Sequence, residues 1–140
     1  MSAPRIDHIG IIVDDLDRAV ERFAALFGGA APERRDLPDA GLRIAEFRAA
    51  NLNIELIAYS GPAEFARRVM GSEAGLNHVS VAVEDVPAAM QSLSAAGLRP
   101  QQGFPRRGAH GTVAFFDRDA ATGLLLEICA ADEAPRGETG

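Results

Sequence analysis

The strongest constraint on this 140-residue chain is that it repeats itself. Ile6-Asp7-His8-Ile9-Gly10-Ile11-Ile12-Val13-Asp14-Asp15-Leu16 aligns with Leu76-Asn77-His78-Val79-Ser80-Val81-Ala82-Val83-Glu84-Asp85-Val86 at a shift of 70 residues (78 minus 8). Ile54-Glu55-Leu56-Ile57-Ala58 aligns with Leu126-Glu127-Ile128-Cys129-Ala130 at a shift of 72 (127 minus 55). One small loop difference accounts for the drift, so both matches belong to a single duplication. A fold built this way uses one supersecondary unit twice. His8 is then equivalent to His78, and Glu55 to Glu127.

Each copy reads as βαβββ. A β-branched run, Ile9 to Val13 or Val79 to Val83, leads to Asp15 or Asp85, each placed to cap the open amides of a helix's first turn. Leu16, Ala19, Val20, Phe23, Leu26 and Phe27 then recur at helical spacing as a core stripe, with Gly28-Gly29 as a left-handed stop. In the second copy Pro87 suits the first turn, Val86, Ala89, Met90 and Leu93 form the stripe, and Gly97 ends it. Turn-rich stretches follow, Ala30 to Ala40 and Arg99 to Gly111, with weak edge strands expected near Ala31 to Arg35 and Pro100 to Phe104. The main strands are Leu42 to Phe47 and Asn53 to Tyr59, then Thr112 to Phe116 and Leu124 to Cys129. A short linking helix is expected over Pro62 to Met70.

Four strands and one helix leave one sheet face bare, so neither copy buries enough apolar surface alone. The expected fold class is α+β: two tandem βαβββ modules, about residues 4–60 and 74–131, joined as one domain with an open barrel-like sheet around a cleft. A hydrophobic content of 47% over this length suits one core and not two independent ones. The polar residues 132–140 are expected to be a frayed tail.

A formal net charge of -6, with all 14 basic residues arginine and only three separated pairs among them, argues against a nucleic-acid partner, which selects a basic stripe. Arg34-Arg35 and Arg67-Arg68 read as solvated surface. Arg106-Arg107 reads the same way, with Arg107 a candidate for holding an anionic substrate through its guanidinium. There is no run of about 18 apolar residues and no apolar leader at the start, so a cytoplasmic protein with no membrane partner is expected. Cys129, the only cysteine, lies in an apolar run and reads as a small buried hydrophobe.

Two of the three histidines fall at equivalent points of the repeat, and so do two glutamates that interrupt apolar strands. On a period-2 strand Glu55 faces opposite Ile54 and Leu56, and Glu127 opposite Leu126 and Ile128. The plain alternative is a pair of solvent-facing glutamates. If these groups face the cleft instead, carboxylates removed from water need a cation. Two imidazoles with two carboxylates suit one divalent ion, Zn, Co, Ni, Mn or Fe(II), and leave coordination positions for substrate oxygens.

Ile-Asp-His-Ile-Gly at 6–10, Ile-Glu-Leu at 54–56, Gly-Leu-Asn-His-Val at 75–79, Pro-Arg-Arg-Gly-Ala-His-Gly at 105–111 and Gly-Leu-Leu-Leu-Glu-Ile at 123–128 resemble the vicinal oxygen chelate (glyoxalase/bleomycin resistance/dioxygenase) superfamily. The likeness covers roughly residues 5–130 and is closest to the methylmalonyl-CoA epimerases. It implies His8, Glu55, His78 and Glu127 as metal ligands, and proton removal next to a carbonyl of an acyl-CoA thioester, with inversion of the centre. It also implies Glu127 as a proton shuttle, His110 in the Gly-Ala-His-Gly turn as a substrate contact, and a homodimer. The chain departs from the epimerase pattern at Ile44, where some members carry a glutamate base. Glu46, two residues on and on the same strand face, is the candidate replacement, its alternative being a cleft-rim or surface position. Ala58 to Gly61, Asn77 and Asp117 to Asp119 also depart, the last removing a lysine suited to a CoA phosphate. A glyoxalase I-like lactoylglutathione lyase and an antibiotic-binding protein of the same fold are the alternative readings.

Overall fold

A computed structural model describes residues 3–109 and 111–131. Among them it forms β1 (Arg5–Ile12), α1 (Leu16–Leu26), β2 (Glu33–Leu37), β3 (Leu42–Arg48), β4 (Asn53–Tyr59), α2 (Glu64–Met70), β5 (Gly75–Val83), α3 (Val86–Ala95), β6 (Arg106–Gly108), β7 (Gly111–Phe115) and β8 (Leu126–Ala130). The class is α+β, with the βαβββ order used twice. The chain divides into two compact units, one from His8 to His78, the other from the residues before His8 together with those from Val79 on.

In the His8–His78 unit the strands run in the order β2-β3-β4-β1. The β2–β3 and β3–β4 pairs are antiparallel, and β1 is parallel to β4. Because side chains alternate, one face carries His8, Gly10, Ile44, Glu46, Glu55 and Ile57, and the other carries Ala45, Phe47, Leu56 and Ala58. The second face packs with Leu16 against Ala19, Val20, Phe23 and Phe27. Phe27 stacks on Phe47 at 5.2 Å between ring centroids. Asp15 caps α1 by accepting from the Arg18 amide at 3.1 Å, and Gly28 takes the left-handed conformation (φ 68) just past its end. Leu26 departs from the expected stripe: at its margin in the last turn, it is 74% exposed.

Helix α2 starts two residues later than its sequence suggested, behind Ala63 in a left-handed conformation. Tyr59 anchors it. The phenol donates to the Gly71 carbonyl, and the Arg67 guanidinium lies 4.1 Å over the ring while bonding to the Pro62 and Gly61 carbonyls and to Ser72 Oγ. Burial raises the Tyr59 pKa above 10.0, with the Arg67 charge opposing. Arg67 is thus a structural strut and not the solvated surface residue its sequence context suggested.

In the second unit the order is β6-β7-β8-β5, with β5 parallel to β8. Val86, Ala114, Phe116 and Ile128 pack against Ala89, Met90 and Leu93 of α3, and Asp85 caps that helix by accepting from Ala88 N at 3.0 Å. Cys129 is buried with Ala82 and Val113, as expected of a small hydrophobe. The edge strand is not at Pro100 to Phe104. Pro100 makes only an isolated bridge to Phe116, and the strand forms at Arg106–Gly108. Pro100 and Pro105 have no amide to donate, and Gly103 is left-handed (φ 98), so that stretch cannot sustain a ladder. β8 begins at Leu126 and not Leu124, because the Leu124 amide bonds to Thr122 Oγ1 in a turn held by Asp119.

Candidate metal centre

β1 and β4 carry His8 and Glu55 on the sheet face turned away from α1, and the first residues of β5 carry His78. One ligand atom from each of the three lies within 4.8 Å of the other two. His8 Nε2 is 3.6 Å from Glu55 Oε1, and the two imidazoles meet edge to face at 5.6 Å. Relative exposures of 2% for His8, 5% for Glu55 and 4% for His78 rule out a solvent-facing role. A carboxylate removed from water beside two imidazoles is costly without a cation, and nitrogen and oxygen donors converging on one point suit a divalent metal ion.

Two neighbours set the direction of His78. A Cβ on Gly10 would lie 2.2 Å from His78 Cε1 and 2.5 Å from Nε2, so the ring occupies the space above a strand residue without a side chain. Asn77 Oδ1 is 2.8 Å from His78 Nδ1, and Asn77 Nδ2 donates to the Met70 carbonyl at 2.8 Å. Neither residue stood out as functional in the sequence. The available signals were a glycine inside a strand whose repeat partner is Ser80, and an asparagine beside a ligand histidine.

Glu46 is neither at a rim nor on the surface. It is 3% exposed and directly opposite Glu55 in the β3–β4 register. Asn53 Nδ2 donates to its Oε2 at 3.1 Å, and Arg35 Nη2 is 3.5 Å from its Oε1. In the second unit Glu127 is 6% exposed on β8, with register partners Ser80 on β5 and Phe115 on β7, where Glu55 has Gly10 and Glu46. The glutamates are repeated, but Glu46 has a phenylalanine as its counterpart. Arg107 is exposed on β6, and His110 lies outside the described residues.

The sequence pattern of the glyoxalase/bleomycin resistance protein/dioxygenase superfamily matches residues 7–116. The chain belongs to that superfamily. A superfamily relative, the ethylmalonyl-CoA/methylmalonyl-CoA epimerase of Cereibacter sphaeroides, is 32% identical over 130 residues, covering 89% of this chain and 96% of its own. Among solved structures, a hypothetical protein from Bacillus halodurans C-125 superposes with a TM-score of 0.80 at 25% identity, over 99% of this chain and 100% of its own. A Streptomyces coelicolor methylmalonyl-CoA epimerase in complex with 2-nitronate-propionyl-CoA superposes with a TM-score of 0.74 at 25% identity, over 94% and 96%. Among the described residues no helix is long and apolar enough to cross a membrane.

Proposed function

We propose that the chain is a divalent-metal-dependent epimerase that inverts the α-carbon of a 2-substituted malonyl-CoA thioester. The observation that carries this reading is the buried His8–Glu55–His78 cluster with a second buried carboxylate, Glu46, across the strand pair from Glu55. Its similarity to the Cereibacter epimerase supports the substrate class. His8, Glu55 and His78 would hold the metal. The ion would supply a Lewis acid that stabilises the negative charge developing on the thioester oxygen.

The side chains do the rest. Inversion removes the α-proton from one face and returns a proton to the other, with no net change in composition. Glu46 is the carboxylate proposed to carry the proton on one face. The repeat argues for Glu46: ligands come in symmetric pairs, whereas an acid–base group acting on one face of a substrate is needed once, and Glu46 has Phe115 as its counterpart. Asn53 and Arg35 fix the carboxylate in place. Arg107 and His110 are proposed to contact the substrate.

The test is solvent deuterium incorporation at the α-carbon of methylmalonyl-CoA, ethylmalonyl-CoA and a glutathione hemithioacetal, with metal-loaded and chelator-treated protein. Metal-dependent exchange of either malonyl thioester is expected. Exchange of the hemithioacetal alone would move the chain to the lyases of the superfamily, and exchange of none would remove the enzymatic reading. Metal content should fall below one-tenth of stoichiometric in His8→Ala, while Glu46→Gln should keep its metal and lose about 10²- to 10⁴-fold in exchange rate.

A further inference from the structure

The contacts around His78 specify which of its two nitrogens can bind an ion. A carbonyl oxygen only accepts hydrogen bonds, so the Asn77 atom 2.8 Å from the Met70 oxygen must be the amide nitrogen. That fixes the orientation of the amide and turns Oδ1 towards His78 Nδ1, 2.8 Å away. An amide oxygen also only accepts, so the proton between them belongs to the imidazole. In its neutral form His78 therefore carries the proton on Nδ1, which leaves the lone pair on Nε2.

We infer that Asn77 is a positioning residue for the metal centre: a relay from the Met70 carbonyl through the Asn77 amide locks His78 in the Nδ1–H tautomer and presents Nε2 as the ligand. The inference rests on the metal reading above. It adds a residue whose work is done before any ion arrives. A histidine ligand is normally oriented by a partner on its other ring nitrogen. Here the partner is one residue earlier in the same strand, and the last residue of α2 ties it down. Gly10 leaves room for the ring, and Asn77 sets its proton.

The experiment reads the tautomer directly. Nitrogen–proton correlation spectra of the metal-free chain, at a pH where imidazole is neutral, distinguish Nδ1–H from Nε2–H, and with three histidines in the chain His78 is assigned by substitution. Wild type is expected as Nδ1–H alone. Asn77→Ala should shift His78 to a mixture in which Nε2–H is abundant, with Co(II) affinity about 10- to 100-fold weaker, the usual effect of losing such a partner. Asn77→Asp keeps an acceptor at Nδ1 but loses the donor to the Met70 carbonyl, so it should keep the Nδ1–H tautomer with a Co(II) affinity between those of Asn77→Ala and wild type, which a merely structural role for Asn77 would not produce. An Nε2–H signal in wild type, or Asn77→Ala with unchanged tautomer and unchanged Co(II) affinity, would overturn the inference. Should wild type bind no Co(II) or Zn(II), the metal reading falls, and the tautomer spectrum still decides what Asn77 does.

Discussion

Gly10 serves His78 by having no side chain. Its φ is not in the left-handed region, so alanine fits the backbone there, and in a strand that exchange ordinarily gains a little stability. In Gly10→Ala the new methyl would meet the imidazole at 2.2 Å, and the ring must rotate away from the cluster. The expected result is a folded protein, about 1–3 kcal/mol less stable, whose affinity for Zn(II) by calorimetry is weaker by at least the about 10-fold typical of a disturbed ligand. Unchanged affinity would mean that His78 does not ligate in this orientation. His8 and Glu55 could be read from sequence because the repeat marks them twice. Gly10 and Asn77 could not, because one acts by the absence of atoms and the other through a second residue, and neither leaves a chemical type that spacing can register. Glu46 was half legible: its strand face followed from counting by twos, but its burial and its contacts with Asn53 and Arg35 arise only once the strands are packed.

At the scale of elements, the caps and the α2 anchor invite measurement. Asp15→Ala and Asp85→Ala each remove a side-chain acceptor from a helix's first turn, and each should cost about 1 kcal/mol in urea unfolding, additively because they cap different helices. Tyr59 gives a pH prediction of definite sign. Its phenol is held above 10.0 by burial, so the stability it contributes is complete below pH 10 and is lost as the pH rises through the raised value. The chain has one tyrosine and no tryptophan, so an absorbance titration reports this group alone and should show a midpoint above 10.0; Tyr59→Phe should lose less stability than wild type between neutral and alkaline pH. Element types were legible wherever apolar residues recur regularly, as in β4, which spans the expected Asn53 to Tyr59. The edge strand β6 was not, because Arg106, Arg107 and Gly108 are all exposed and carry no pattern of burial. Its place follows from where prolines and a left-handed glycine release the backbone.

For the whole molecule, the duplicated glutamates and the unduplicated Glu46 lead to an equilibrium prediction. An ion that binds only the folded chain should raise its stability by about 2.7 kcal/mol at a free concentration one hundred times Kd, and the increment should disappear in His8→Ala. A thermal melt with and without Zn(II) reads it, and an equal shift in both proteins would place the ion elsewhere. The two faces of β3 and β4 also constrain how such a chain can change length. One residue inserted within β4 would turn Glu55 towards α1 and bring an apolar neighbour to the metal face, since strand side chains alternate with period two. The two copies already differ: 47 residues separate His8 from Glu55 (55 minus 8), and 49 separate His78 from Glu127 (127 minus 78). Connections absorb that difference, the β3–β4 turn occupying residues 49–52 and the β7–β8 connection residues 116–125. A library of single-residue insertions should therefore read like a ruler laid along the chain, inactive across β1 and β4 and permissive in the turns between.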